Sequence, residues 1–350
     1  MLVIGKGSSG KAAAALAEAQ GRPVEFADGV GLVVASPGVR VMSELEYGCR
    51  ELKRLGVKML AVTGSKGKSS VVKLVADALN LAGFHATPCG NYGLPVSELA
   101  LSLQHAAPST QQWAVVEVSS FMLETTNLPP GTFEAAAILN LQEDHLDRHG
   151  SVEVYHALKR RLVNFAKVGF APGDARCDTA AVPKGSYFDN DVLRVNGAYA
   201  VALMRAAGLD DAVIERAFSE FEPRPHRFQT VAEVDGVRYV DDSKATSVAA
   251  LVAGVTMSGG KTRLIAGGLP KGDDPKIALP ILTARVKKVY LIGQSAELFC
   301  SAWEDDVDCE VCETLDRAVG EAMREAEKGD TVLLSPGTAS FDQFQSFGER

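Results

Sequence analysis

Apolar positions along this chain follow two alternating rhythms. Short, nearly unbroken apolar runs predict strands buried on both faces, as in a parallel sheet: Met59-Leu60-Ala61-Val62, Trp113-Ala114-Val115-Val116-Glu117-Val118 and residues 135–141. Between the first two runs, Val71, Val72, Leu74, Val75, Ala78 and Leu79 recur at helical spacing and predict a helix over 70–83 that lies on a sheet. The same reading predicts helices at 11–20, 151–166, 196–208, 246–256, 276–284, 295–303 and 315–327. It predicts strands at 2–4, 31–35, 228–234, 237–240, 263–266, 286–292 and 331–334. Val234-Asp235-Gly236-Val237 reads as a hairpin turn, because Asp-Gly takes up positive φ at little cost. Cys89-Gly90-Asn91-Tyr92-Gly93 reads as a turn, residues 167–195 show no long element, and Glu222-Pro223-Arg224-Pro225 reads as a linker. The expected fold class is α/β.

Length and charge narrow the picture. At 350 residues the chain suggests two or three domains, with expected limits 1–52, 53–222 and 223–350. A net charge of −8 argues against non-specific nucleic-acid binding and a polybasic membrane surface. No run reaches the roughly 18 apolar residues of a membrane span. The N-terminal apolar run stops at Gly5, too early for a signal peptide, so the cytoplasm is the expected location. Six cysteines are scattered, and Cys309-Glu310-Val311-Cys312 has no second pair, so reduced thiols are expected rather than a zinc site.

The candidate chemistry sits where predicted strands end. Gly64-Ser65-Lys66-Gly67-Lys68-Ser69-Ser70 joins a strand to a helix, an anion site by construction: glycines let N–H groups close on phosphates and the helix N-terminus adds positive potential. Lys68 can reach the β/γ-phosphates and Ser69 can sit on Mg²⁺. The strict phosphate-loop pattern wants glycine where Val62 stands, so the loop is a variant. Glu117 is the one charge in a buried strand and needs a cation, a metal or strong donors. Gln142-Glu143-Asp144-His145-Leu146-Asp147-Arg148-His149 follows the next strand and makes His145 a candidate metal or substrate ligand. Lys159, one of three consecutive cations, reads from pattern as a surface charge. Gly5-Lys6-Gly7-Ser8-Ser9-Gly10 fits G-x-G-x-x-G, and Asp28 lies 18 residues past Gly10, near the place of a ribose-binding acid. The fragment is too short for a complete dinucleotide domain, which favours contact with the phosphates of some other nucleotide. In the last third, 241–246, 267–271 and 335–340 are polar loops at strand ends, expected to share one cleft.

Several of these segments occur together in one family. Thr63-Gly-Ser-Lys-Gly-Lys-Ser69, Glu117-Val-Ser-Ser-Phe-Met-Leu-Glu124, Glu143-Asp-His-Leu-Asp-Arg148, Pro225-His-Arg-Phe228, Asp242-Ser-Lys-Ala-Thr246 and Leu334-Ser-Pro-Gly-Thr-Ala-Ser-Phe-Asp-Gln-Phe344 resemble, in this order, the motifs of the Mur ligases. The Ser-Ser-Phe-x-Leu-Glu and Ser-Phe-Asp-Gln-Phe elements are most similar to the members that add D-glutamate to UDP-N-acetylmuramoyl-L-alanine. The resemblance implies three domains: a Rossmann-like nucleotide-sugar domain, here shortened, a central phosphate-loop ATPase domain and a Rossmann-like amino-acid domain. It implies ATP-dependent amide formation through an acyl phosphate, with ATP and Mg²⁺ as cofactors, small-molecule substrates and a monomer.

By the same resemblance Lys68, Glu117, His145 and Lys159 are catalytic. Ser69 and Glu117 hold one Mg²⁺; His145 and Lys159, the latter as a carbamate, hold a second. That role reverses the surface reading of Lys159. Residues 64–70 with Asn196, Arg227 and Asp242 contact ATP. Ser8, Ser9, Ser36, Gly38, Asn91 and Ser119 contact the UDP substrate, and Lys244, Thr246, Lys271, Ser340 and Phe347 form the D-glutamate pocket. The chain departs from the family at Lys66, where asparagine is common, and in the abbreviated segment before Asn196. Three alternatives stay open: a sister or folate-glutamate ligase, separable by an amino-acid screen; a nucleotide-binding module without ligase activity, which would bind ATP without turnover; and an NAD enzyme, whose binding would survive Lys68→Ala.

Overall fold

A computed structural model describes residues 2–27, 41–104 and 111–350. The chain divides into two compact units, residues 1–189 with 193–221, and residues 190–192 with 222–350.

In the first unit the elements are β1 (Leu2–Ile4), α1 (Ser8–Ala19), β2 (Glu25–Ala27), α2 (Glu44–Arg54), β3 (Lys58–Thr63), α3 (Lys68–Leu81), β4 (His85–Gly90), α4 (Val96–Leu103), β5 (Gln112–Glu117), α5 (Ser120–Thr125), β6 (Phe133–Ile138), α6 (Leu146–His149), α7 (Val152–Arg160), β7 (Ala166–Phe170), α8 (Arg194–Ala206) and α9 (Asp211–Ser219). Strands β1 and β2 form a small parallel pair; the other five form a wholly parallel sheet in the order β4-β5-β3-β6-β7. Both faces of that sheet are covered, which is why its strands read as continuous apolar runs. Leu60 and Val62 of β3 face α3, α8 and α9, while Met59 and Ala61 face the side of α1, α2 and α4. The six apolar positions that predicted α3 are all fully buried, and each of the five valines and leucines among them contributes about 1.5–3 kcal/mol on burial.

The second unit holds β8 (Gln229–Val234), β9 (Val237–Asp241), α10 (Val248–Ser258), β10 (Thr262–Gly267), α11 (Leu279–Arg285), β11 (Val286–Ile292), α12 (Ala296–Trp303), β12 (Cys309–Glu313), α13 (Leu315–Glu325) and β13 (Thr331–Leu334). Its sheet runs β12-β11-β10-β13-β9-β8, parallel except for the antiparallel outer strand β8. The β8–β9 turn has φ of 53° at Asp235 and 75° at Gly236, the conformation expected of the Asp-Gly pair. Two outer strands carry register shifts: β8 between Thr230 and Ala232, and β12 where Ile292 pairs with Glu313.

Several local expectations change. Cys89 and Gly90 complete β4 rather than a turn, because they pair with Val116 and Glu117 of β5. The helix expected over 151–166 ends at Arg160 and tightens into a 3-10 turn, Arg161–Phe165. The segment 167–195 begins within β7, a short strand that composition hides. The helix expected from 276 opens as a 3-10 turn, Pro275–Ala278. Helix α1 starts at Ser8, ahead of the expected 11, so Ser8 and Ser9 occupy its first turn. The strand expected at 31–35, together with Asp28, Ser36 and Gly38, lies outside the described residues.

Candidate active site

The first unit gathers its polar side chains at the C-terminal ends of three neighbouring strands, β5, β3 and β6. The loop after β3 turns on Gly64 and Gly67, at φ of 153° and 82°. Gly67 caps α3 in the left-handed region that favours glycine, and a Cβ there would stand 2.1 Å from Nδ2 of Asn196, which would have to move. Lys68 folds its Nζ back over the loop, donating to Gly64 O at 2.8 Å and Ser65 O at 3.2 Å. Ser69 and Ser70 stand in the first turn of α3, whose N–H groups have no intrahelical acceptor. Ser65 is buried and turned inward, its hydroxyl donating to Gln142 O at 3.1 Å and accepting from Tyr155 OH at 3.1 Å. Lys66 is exposed, with Nζ 3.7 Å from Asp144.

Glu117 ends β5 and is 2% exposed. Its Oε1 accepts from Asn91 Nδ2 at 2.8 Å, while Oε2 is buried with no hydrogen-bond partner. Thr63 Oγ1, at the end of the adjoining β3, is likewise buried and unpartnered. A buried carboxylate oxygen left so is costly, and a divalent cation satisfies it. Hard oxygen donors from Glu117 and the Ser69 hydroxyl suit Mg²⁺.

Lys159 corrects the pattern reading. It is 1% exposed, donates from Nζ to Gly64 O at 2.9 Å and lies 4.6 Å from the Tyr155 ring centre. Burial, reinforced by the charge of Lys68, pushes its pKa down to about 7. His145 caps α6 at φ 54° and is exposed, its ring 5.0 Å from Phe121 and 6.3 Å from Tyr155. His149, four residues on, is the buried one: it bonds Ser120 Oγ at 3.0 Å and lies 3.3 Å from Glu124. Ser119 caps α5, accepting from Met122 N–H at 3.3 Å. Ser8 and Ser9 are exposed, and Gly10 packs so closely that a Cβ would lie 2.0 Å from Gly5 O.

In the second unit the three polar loops, expected to share one cleft, are hydrogen-bonded to one another. Leu269 and Ala339 exchange backbone bonds at 2.9 and 3.1 Å, Gly267 N–H reaches Pro336 O and Gly337 N–H reaches Ala245 O. Asp242 accepts from Phe228 N–H at 3.1 Å and Ser335 Oγ at 2.9 Å, and burial raises its carboxyl to about 7. Lys244 stacks its Nζ 3.7 Å above Phe347. Burial and then the charges of Arg227, Arg224 and Lys271 lower its pKa, so four cations converge and favour an anionic ligand. Thr246 is half-buried just before α10, and Ser340 is 2% exposed.

Two residues escaped the sequence reading. Asn140 bonds the phosphate loop. Arg350, 8% exposed, donates to Ser243 Oγ and to the carbonyls of Ser243, Thr338 and Ala339, bracing all the loops around Lys244. Burial lowers the Arg350 pKa to about 10. Neither carries a sequence signal: one lies inside the apolar run 135–141, the other sits in a polar segment.

Two α/β units, one with a glycine-rich loop at a helix N-terminus beside a buried, unpartnered carboxylate, suit a nucleotide-binding enzyme. The Mur ligase middle domain matches residues 62–179, and the Mur ligase glutamate ligase domain matches residues 226–337. The chain belongs to the Mur ligase family. It is 35% identical to the UDP-N-acetylmuramoylalanine–D-glutamate ligase of Acidobacterium capsulatum over 89% of this chain and 76% of that one. It is 32% identical to the enzyme of the same name from Nitratidesulfovibrio vulgaris over 100% and 93%. Among solved structures, MurF ligase from Thermotoga maritima in complex with ADP shares the fold at a TM-score of 0.60 and 16% identity, covering 95% of this chain and 90% of that one. A folylpolyglutamate synthase/dihydrofolate synthase from Yersinia pestis, complexed with AMPPNP and a Mn ion, does so at 0.60 and 18%, covering 90% and 93%. Among the described residues no helix is long and apolar enough to cross a membrane.

Proposed function

We propose that this chain joins the amine of D-glutamate to the carboxylate of UDP-N-acetylmuramoyl-L-alanine while cleaving ATP to ADP and phosphate. The observation that carries a metal-assisted phosphoryl transfer is the unpartnered, buried Oε2 of Glu117 on the strand beside the phosphate loop. The names of the relatives and the convergent cations around Lys244 support D-glutamate, a dicarboxylate, as the incoming amine.

In this reading Lys68 and the first turn of α3 hold the phosphates, with Gly64, Ser65, Lys66 and Gly67 shaping the loop. Asn196, Arg227 and Asp242 bind the rest of the nucleotide. Ser69 and Glu117 hold one Mg²⁺; His145 and carbamylated Lys159 hold another. When bound, the metal ions neutralise phosphate charge and polarise the transferred group. Lys159 reaches its anionic form when its neutral amine attacks CO₂, forming an N–C bond and releasing a proton. Asn91 and Ser119 orient the muramoyl substrate, with Ser8, Ser9, Ser36 and Gly38 by its uridine diphosphate. The substrate carboxylate attacks the γ-phosphorus, the bond to ADP breaks and an acyl phosphate forms. The amine of D-glutamate, held by Lys244, Thr246, Lys271, Ser340 and Phe347, then attacks the acyl carbon; phosphate leaves and the nitrogen loses its proton. In this reading the reaction consumes ATP, which supports a cytoplasmic location, and the chain acts as a monomer.

The test is phosphate release from Mg-ATP with and without UDP-N-acetylmuramoyl-L-alanine and D-glutamate. Release that needs both, and fails with L-glutamate, is the expected result. Nucleotide binding without release under any substrate pair would overturn the ligase reading.

A further inference from the structure

The phosphate loop is held from one side by a side chain that imitates a peptide group. Strand pairing between β3 and β6 stops at Thr63 and Ile138, followed by Leu139 N–H to Thr63 O at 2.9 Å. Beyond it, the Asn140 amide continues the ladder. Its Oδ1 accepts from Lys66 N–H at 2.8 Å, and its Nδ2 donates to Lys66 O at 2.9 Å and to Asn196 Oδ1 at 3.2 Å. The N–H and C=O of one residue read the two ends of the amide in opposite senses, which fixes its orientation. The backbone of Asn140 adds a third tie, its carbonyl accepting from Ser65 N–H at 3.1 Å. Gln142 N–H donates to Ser65 Oγ at 2.9 Å and closes the clamp from two residues further on.

The N–H groups of Ser65 and Lys66 are therefore engaged in support. Anion contact falls to Gly67 and the first turn of α3. Asn196, the third partner of Asn140, is the residue packed against Gly67. We infer that Asn140 is a positioning residue for triphosphate binding: its amide locks Lys66 and, through Asn196, Gly67, so that the N–H groups after them converge on the phosphates. The inference rests on the nucleotide-binding reading above.

The experiment is calorimetric titration of the full chain with Mg-ATP and, separately, with inorganic tripolyphosphate, for wild type, Asn140→Ala and Asn140→Ser. Losing the amide contacts weakens both ligands by about thirtyfold in Asn140→Ala, with Asn140→Ser between, since one hydroxyl replaces part of the pairing. A purely structural role would instead lower the ligand-free melting temperature and leave the affinity of the folded protein unchanged; that result overturns the inference alone. A loss seen with ATP but not tripolyphosphate also overturns it, because the residue would then act on the nucleoside through Asn196. Wild type that binds neither ligand overturns the nucleotide reading and the inference together. If Asn140→Ala does not fold, Asn140→Ser carries the same comparison.

Discussion

Lys159 is expected to be carbamylated near neutral pH, and the structure sets the scale. Only a neutral amine attacks CO₂. An ordinary lysine at pH 7 is almost wholly protonated, whereas burial, and then the Lys68 charge, lowers Lys159 from 10.5 to about 7. That shift enriches the neutral amine about a thousandfold at pH 7. The sign for stability follows. With the folded pKa depressed, the unfolded chain binds more protons between about 7 and 10.5, so stability rises with pH across that window. Below it the buried ammonium costs at most about 5 kcal/mol. Lys159→Met in bicarbonate-free buffer should thus be at least as stable as wild type, and Lys159→Ala should stay folded yet lose most activity. Carbon-13 NMR of the protein in labelled bicarbonate should show a carbamate signal that grows as pH rises through about 7. Full activity in Lys159→Ala, or no carbamate signal across that range, would refute the reasoning.

Other expectations follow from single contacts. Glu117→Gln keeps the Asn91 bond through its carbonyl but removes the charge that seeks a cation; turnover should fall by roughly a hundredfold or more while the ligand-free melting temperature holds, and unchanged Mg²⁺ dependence would contradict this. Asp242 has its folded pKa raised from 3.8 to about 7, so its contribution to stability is complete below 3.8 and is lost as pH rises through about 7. Urea unfolding of Asp242→Asn should show a flatter pH dependence than wild type there; an unchanged slope would count against the assignment. Arg350→Ala, which strips donors from buried carbonyls, should destabilise the second unit by about 2–4 kcal/mol and raise the KM for D-glutamate. Equal stability would show that the guanidinium braces nothing.

The legible parts of this molecule were those whose local chemistry matches their global place. The β3 run, the Gly-Lys-Ser turn and the α3 stripe each point to the same strand-loop-helix unit, and Asp235-Gly236 carries its turn in its residue types. Lys159 was illegible from pattern because it stands in a cationic run, Lys159-Arg160-Arg161, whose other members turn elsewhere; only the family resemblance marked it. Asn140 lay unremarked inside the run 135–141 read as a strand, and its role depends on a loop 74 residues away. Strands β7 and β12 were missed because Ala166–Phe170 is short and interrupted by Gly169, and Cys309–Glu313 places glutamates where a buried strand would have aliphatics. Arg350 is buried only because three distant loops meet around it.

The irregular outer strands of the second unit's sheet bear on solubility. An outer strand exposes a row of unused N–H and C=O groups to any other chain that can add to it, and a regular row of β-branched residues is the template on which fibrils grow. Strand β8 has such residues on its surface, Val231 at 58% and Val234 at 49% exposure. Its register skips Val231, and β12 at the opposite rim skips Cys312 between Val311 and Glu313. A bulge twists a strand and breaks its ladder. Each rim is thus an imperfect edge, and a shortening of β8 by one residue that restored a regular ladder would turn a harmless margin into a sticky one.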